Sequence, residues 1–126
     1  MNLLAIDYGT KNIGFAINNG TDIAFPFKTL PNNDNIIEEI KDICDEENIE
    51  RVVLGTPTKR DRSEGDLAEK IKIFSNQLIE VGLDVVLEDE LLSSSQTKDM
   101  MKNYAGKYEK DAIEATVILQ TFLDRK

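Results

Sequence analysis

Three groups of carboxylates stand out in a chain that contains no histidine. The first closes an apolar run: Asp7 follows Leu3-Leu4-Ala5-Ile6 and opens the segment Asp7-Tyr8-Gly9-Thr10-Lys11-Asn12-Ile13-Gly14. A carboxylate at the end of a buried strand is costly unless it is paired, hydrogen-bonded or bound to a cation. Gly9 and Gly14 allow a tight turn and a close approach of backbone to a ligand, and Lys11 is placed to meet a phosphate. The same residues also fit a hairpin start in which Asp7 bonds to its own turn. The second group, Glu88-Asp89-Glu90, follows Val85-Val86-Leu87. Three consecutive carboxylates repel one another unless cations or solvent separate them, so either one of them faces inward or the segment is an exposed acidic loop. The third is Asp111, at the start of the last helix, where the helix dipole alone favours an acid by about 0.3–1 kcal/mol.

Taken together, these groups narrow the chemistry. Without imidazole there is no serine or cysteine triad and no histidine-ligated zinc. Carboxylates at the ends of two strands and the start of a helix suit hard, oxygen-seeking cations such as Mg²⁺ or Mn²⁺. Two such ions about 3.5–4 Å apart would activate a water and stabilise the leaving oxygen of a phosphodiester. The loop Gly55-Thr56-Pro57-Thr58-Lys59-Arg60-Asp61-Arg62 adds hydroxyls and three cations after a strand. Thr56, Lys59 and Arg60, with Gly9 and Lys11, are therefore candidates for holding substrate phosphate, although a solvated basic loop fits that stretch equally well.

The elements that must position these groups follow from periodicity and turn residues. Residues 2–7 read as a buried strand, Ile13–Ile17 as a second, and residues around Ile23–Phe27, after the Asn18-Asn19-Gly20 turn, as a third. Asn35 with Glu38 signals a capped helix whose Ile36, Ile37, Ile40, Ile43 and Cys44 share one face. Arg51–Leu54 is a strand stopped by Gly55 and Pro57. Ser63 with Asp66 opens a second helix with Leu67, Ile71, Phe74 and Leu78 inward, ended by Gly82. Asp84–Glu88 is the fifth strand. Ser93 with Gln96 opens a third helix carrying Met100, Met101 and Tyr104 and stopping near Gly106, and Asp111–Asp124 forms the last. The order βββαβαβαα implies an α/β fold: a mixed five-stranded sheet, three antiparallel strands and then two parallel ones, with helices on both faces. No linker or repeat divides the chain, so residues 1–126 read as one domain.

Composition sets outer limits. The chain has 126 residues, 40% of them hydrophobic, and 15 Lys+Arg against 24 Asp+Glu give a formal charge of −9. It is apolar enough to bury a core. Its longest apolar runs fall far short of the roughly 20 residues that span a bilayer, and the N-terminus lacks a signal-peptide pattern. A membrane role is not expected. The single cysteine, Cys44, cannot form an internal disulfide and points to a reducing cytoplasm; on an apolar helix face it reads as core. The acidic total argues against simple coating of duplex nucleic acid, which depends on Lys and Arg neutralising phosphates. Much of that charge is local, however: residues 34–50 hold eight acids and one lysine, leaving 14 cations and 16 anions elsewhere. The helix face carrying Glu38, Asp42 and Glu46 is expected to point away from Asp7. Lys98, Lys102, Lys107 and Lys110 form a weak basic strip or a solvated helix surface.

The ordered motifs resemble the YqgF/RuvX-like family of Holliday junction resolvases, also described as pre-16S rRNA nucleases, within the ribonuclease H-like superfamily. The family pattern D-x-G-x-K-R-I-G matches Asp7, Gly9, Lys11, Ile13 and Gly14. G-x-P after a strand matches Gly55 and Pro57. D-E-R-L-T-T matches Asp89, Glu90 and Leu92, with Ser93 and Ser94 for the threonines, and the late aspartate opening an alanine-containing helix matches Asp111 with Ala112 and Ala115. The resemblance spans nearly the whole chain. It implies a ribonuclease H-like fold, Asp7, Glu90 and Asp111 as metal-binding catalytic acids, structured RNA or branched DNA as substrate, and a role on ribosomal precursor particles at the 5′ end of small-subunit rRNA. Asn12 and Leu91 depart from the pattern by replacing arginines whose forked pairing to phosphate no other side chain reproduces. Two other readings remain in view: a non-catalytic nucleic-acid or ribosome-assembly module, and a nucleotide-phosphate site of the sugar-kinase and actin type. The latter is opposed by the absence of a second domain and a second Asp-x-Gly-Thr.

Overall fold

The structure is a computed structural model that describes residues 1–56, 63–89, 99 and 102–125. Its first hairpin pairs β1 (Leu3–Asp7) with β2 (Asn12–Ile17), and β3 (Phe25–Pro31) extends it antiparallel. Helix α1 (Ile36–Glu46) leads to β4 (Arg51–Thr56), which lies parallel to β1. Helix α2 (Ser63–Glu80) then leads to β5 (Val85–Asp89), parallel to β4, and α3 (Lys110–Asp124) is last. The five strands form one sheet in the order β3-β2-β1-β4-β5. This is the mixed sheet that the alternation of elements implies, with three antiparallel strands followed by two parallel ones.

Strand alternation sorts the side chains into two layers. Leu4, Ile6, Phe15, Val52 and Leu54 face α1 and α2 and pack with Ile36, Ile40, Ile71, Phe74 and Leu78. Leu3, Ala5, Ala16 and Val53 face the other way and meet Ala115, Ile118 and Leu119 of α3. The residues on the α3 side are smaller, which lets the helix ride close to the sheet. Asp7 has the parity of Leu3 and Ala5, so it belongs to the α3 layer. Cys44 is buried within the α1 layer, and burial together with Asp45 pushes its thiol up to about 11 against the weaker opposing pull of Lys41. It is a core residue.

Two local expectations shift. The third strand begins at Phe25 rather than near Ile23 and runs on to Pro31. Residues 21–24 are held outside the sheet ladder, because the buried Asn18 amide donates to the Thr21 carbonyl and the Ala24 N–H donates to Gln120 Oε1 on α3. The prolines Pro26 and Pro31 are tolerated because β3 is an edge strand. At the start of α1, Asn35 makes no side-chain cap bond; instead Asn33 Oδ1 accepts the Asn35 N–H and the Asn33 carbonyl accepts that of Ile36. The expected third helix from Ser93 lies largely outside the described residues, of which 102–104 are helical, with Gly106 at φ +83° just beyond.

Helix α3 comes close to the sheet backbone at one glycine. A Cβ placed on Gly14 would stand 2.0 Å from the carbonyl oxygen of Asp111 and 2.6 Å from the Ala112 nitrogen. Gly14 therefore provides close approach to a helix N-terminus, not to a ligand. Its register partner on β1 is Asp7. We expect Gly14→Ala to lower unfolding stability by about 1–3 kcal/mol through overpacking and to weaken any divalent-ion stabilisation more than a surface alanine does. Chemical denaturation with and without Mn²⁺ checks this; unchanged stability would contradict the close approach.

Candidate active site

The sheet and α3 bring three acids together. Asp7 at the end of β1 is 8% exposed, and Asp111 and Glu114 are half-buried in the first turns of α3. One carboxylate oxygen from each lies within 4.8 Å of the others. Neighbouring oxygens around a magnesium ion sit roughly 3 Å apart, given metal–oxygen bonds of about 2.0–2.1 Å, so this trio stands somewhat wider than a closed coordination shell. The donors are all carboxylate oxygens, which is the set a hard divalent cation takes. Asp111 and Glu114 are three residues apart and so share a helix face. That spacing is readable in the sequence, but Glu114 sits among apolar neighbours that mark the helix as core, and no local signal singles it out.

The electrostatics of Asp111 fit a cation site better than a helix cap. Its first-turn position favours the charged form through the helix dipole. Its pKa nevertheless lies above the ordinary 3.8, raised first by burial and then by Glu114 and Glu109, with Lys110 opposing. Like charges gathered in a half-buried place are unfavourable without a counterion. Lys110 reaches Glu114 at 3.8 Å, but it is 77% exposed, and a pair of that kind contributes little.

Other sequence candidates fall in several places. Gly9 and Lys11 form the turn after Asp7, and Asn32 ties that turn down: its backbone N–H donates to the Lys11 carbonyl and its side-chain amide to the Gly9 carbonyl. Gly9 also needs its missing Cβ, which would stand 2.3 Å from the Asn12 carbonyl oxygen. Thr56 ends β4 and its hydroxyl donates to the Glu88 carbonyl. Asn12, at an arginine position of the family pattern, is exposed at the start of β2. Glu90, Lys59, Arg60, Leu91 and Lys98 lie outside the described residues. Of the acidic stretch Glu88-Asp89-Glu90, which begins within β5, the buried described side chain is Glu88, and it pairs with Arg125 rather than joining the trio. Glu38, Asp42 and Glu46 lie exposed on α1, across the sheet from Asp7, as the charge distribution led us to expect.

Residues 1–125 match the family described as RuvX, Holliday junction resolvase. The chain belongs to the RuvX family. Among curated relatives of this RuvX chain, one from Malacoplasma penetrans is 33% identical over 134 residues, covering 98% of this chain and 94% of that protein. One from Maridesulfovibrio salexigens is 33% identical over 135 residues, covering 99% of each. Both carry the name "Putative pre-16S rRNA nuclease". Among solved structures, RuvC of T. thermophilus in complex with a Holliday junction substrate superposes with a TM-score of 0.65 at 13% identity, covering 99% of this chain and 94% of that one. The Fowlpox virus resolvase bound to Holliday junction DNA gives 0.56 at 13%, covering 99% and 98%. These likenesses establish the ribonuclease H-like fold of the RuvX chain, and the family is one of nucleases. No described helix is long and apolar enough to cross a membrane.

The raised pKa of Asp111 carries a sign that can be tested. A carboxyl whose folded pKa exceeds its unfolded value costs stability while ionised, and the cost fades as pH falls from the folded pKa toward 3.8. We expect metal-free Asp111→Asn to melt above wild type at neutral pH and to lose that advantage below pH 4. Divalent-ion affinity of wild type should rise with pH across the same window, as the ion displaces the proton. Thermal melts in chelator against pH, with Mn²⁺ titrations alongside, check both; an Asp111→Asn protein that melts lower at pH 7 would contradict them.

Proposed function

We propose that this chain is a metal-dependent endonuclease that hydrolyses phosphodiester bonds in structured RNA, acting in the cytoplasm on ribosomal precursor particles to mature the 5′ end of pre-16S rRNA. The observation that carries the reading is the convergence of Asp7, Asp111 and Glu114 at the end of β1. In this reading Asp7 and Asp111 are catalytic acids that hold Mg²⁺ or Mn²⁺. Glu114 is added from the geometry and Glu90 from the family pattern, enough carboxylates for two ions. Bound there, such ions would lower the pKa of a water and neutralise charge on the reacting phosphate.

The protein's own groups do the rest. Asp7 is fixed by the strand that carries it, and Asp111 and Glu114 by one rigid helix, so the oxygens need little reorganisation. In this reading the Gly9–Lys11 turn and Thr56 hold substrate phosphates, and Lys59 and Arg60 are given the same role from the sequence alone. The exposed acids Glu38, Asp42 and Glu46 of α1 lie across the sheet from Asp7, away from the phosphate that is cut. Residues 1–126 work as one ribonuclease H-like domain. The relatives' name supports pre-16S rRNA as the substrate, and the junction-resolving family makes branched DNA the alternative to be assayed beside it.

The test is cleavage of a pre-16S RNA fragment and of a four-way DNA junction in Mg²⁺ and in Mn²⁺. We expect RNA cleavage that chelator abolishes, and losses of roughly 10²–10³ in rate for Asp7→Asn and Asp111→Asn, the scale of removing one charge-stabilising group from an active site. Glu114→Gln should lose at least 10-fold. Wild type that cuts neither substrate would leave a non-catalytic nucleic-acid module. Cleavage unchanged in all three variants would place the chemistry elsewhere.

A further inference from the structure

The residue after Asp7 faces a different space. Consecutive residues of a strand point to opposite sides, and Tyr8 packs into the α1/α2 layer with its ring 4.9 Å from that of Phe74, tilted by 57°. Beside these two rings the start of α1 and the middle of α2 leave a half-open cavity of about 350 Å³. Its volume is at the low end of the roughly 300–1,000 Å³ of small-ligand sites, room for one base and its sugar. Its lining divides in a telling way. The inner wall is apolar, with the rings of half-buried Tyr8 and buried Phe74 beside three isoleucines, and the more exposed lining carries the amides of Asn32, Asn33 and Gln77 with the ammonium of Lys70.

We propose that this cavity receives a single unpaired nucleobase of the substrate strand, from a nucleotide close to the one that is cut. Resting on the nuclease reading, the proposal adds where that substrate is gripped. Aromatic faces bind bases by stacking, and amide side chains offer the paired donors and acceptors that base edges present. Lys70 makes no ion pair among the described residues and supplies a cation for the phosphate that accompanies the base. One cation, with Asp34 also on the rim, is too little positive charge for a site built around phosphate alone. Position supports the same occupant: Tyr8 adjoins Asp7, with Cα atoms about 3.8 Å apart, so one strand crossing the end of β1 passes both. Asn32 joins the two places, since the residue on the cavity rim also holds the Gly9 and Lys11 carbonyls. A base seated there would steady the turn next to the catalytic acids. It would also demand an unpaired nucleotide, which gives preference for loops, ends and junction points over uninterrupted duplex.

The test separates base binding from cleavage. Short single-stranded RNA and DNA oligonucleotides carrying one 2-aminopurine at successive positions are titrated with the full chain in chelator. We expect quenching at one position on wild type, retained in Asp7→Asn, with RNA and DNA arms showing which sugar is accepted. Lys70→Ala and Gln77→Ala change exposed residues on α2 and should each weaken binding at least threefold. Tyr8→Leu should weaken it at least fivefold, the lower end of what losing one base-stacking ring costs, and abolish the quenching. Should Tyr8→Leu not fold, the two α2 variants decide. Quenching without cleavage in Mg²⁺ would retain the cavity and overturn the nuclease reading. Cleavage by wild type without position-specific quenching, or quenching unchanged in the variants, would overturn the cavity.

Discussion

The approach of α3 to the backbone of β2 at Gly14 is the constraint on which the site depends. A helix laid on a sheet is normally held off by side chains, yet here the Asp111 carbonyl occupies the space a Cβ would fill. Because Gly14 is the register partner of Asp7, closeness at one strand becomes closeness of carboxylates at the next. The small residues of the α3 layer, Ala5, Ala16 and Ala115, continue the same close packing down the helix. At the other side of the sheet, Ile, Leu and Phe fill the wider space under α1 and α2. The two layers thus have different jobs: one supplies most of the large apolar burial, the other fixes distances between charges.

The sheet also separates charge. The formal −9 of the chain is an average over two unlike surfaces. The exposed acids of α1 lie behind the sheet, while the acids at the end of β1 are few, partly buried and close enough together to favour a cation. An acidic protein can therefore handle a polyanion if its surplus lies on the far face, since exposed charges separated by more than a Debye length of about 8–10 Å are largely screened.

Much of this was legible in the sequence. Five strands and their sequence along the chain follow from short apolar runs between turn residues, and Asp7 and Asp111 are marked by being acids where strand and helix patterns begin or end. The family pattern then joined positions that periodicity alone leaves unrelated. Three things were not legible, each for a physical reason. The start of β3 is set by a local bond from Asn18 to Thr21 and by a bond from Ala24 to Gln120 that spans 96 residues, and the second leaves no local trace. The use of Gly14 depends on a helix nearly 100 residues away; its type shows that something comes close, not what. Glu114 differs from other helical glutamates only in the direction it faces once α3 is docked.

Asp111 and Glu114 ride on one helix, so the geometry of the trio reduces to a single mechanical coordinate, the axial position of α3 relative to β1. The far end of that coordinate is clamped. Gln120 accepts from Ala24 and donates to the Asp22 carbonyl, tying α3 to the loop before β3. Six residues of helix, about 9 Å at 1.5 Å per residue, separate this clamp from Glu114. A slide of even 1 Å would move both helix carboxylates together, leave Asp7 behind and widen the gap on one side only. The spacing of the acids is in that sense calibrated from the opposite end of α3.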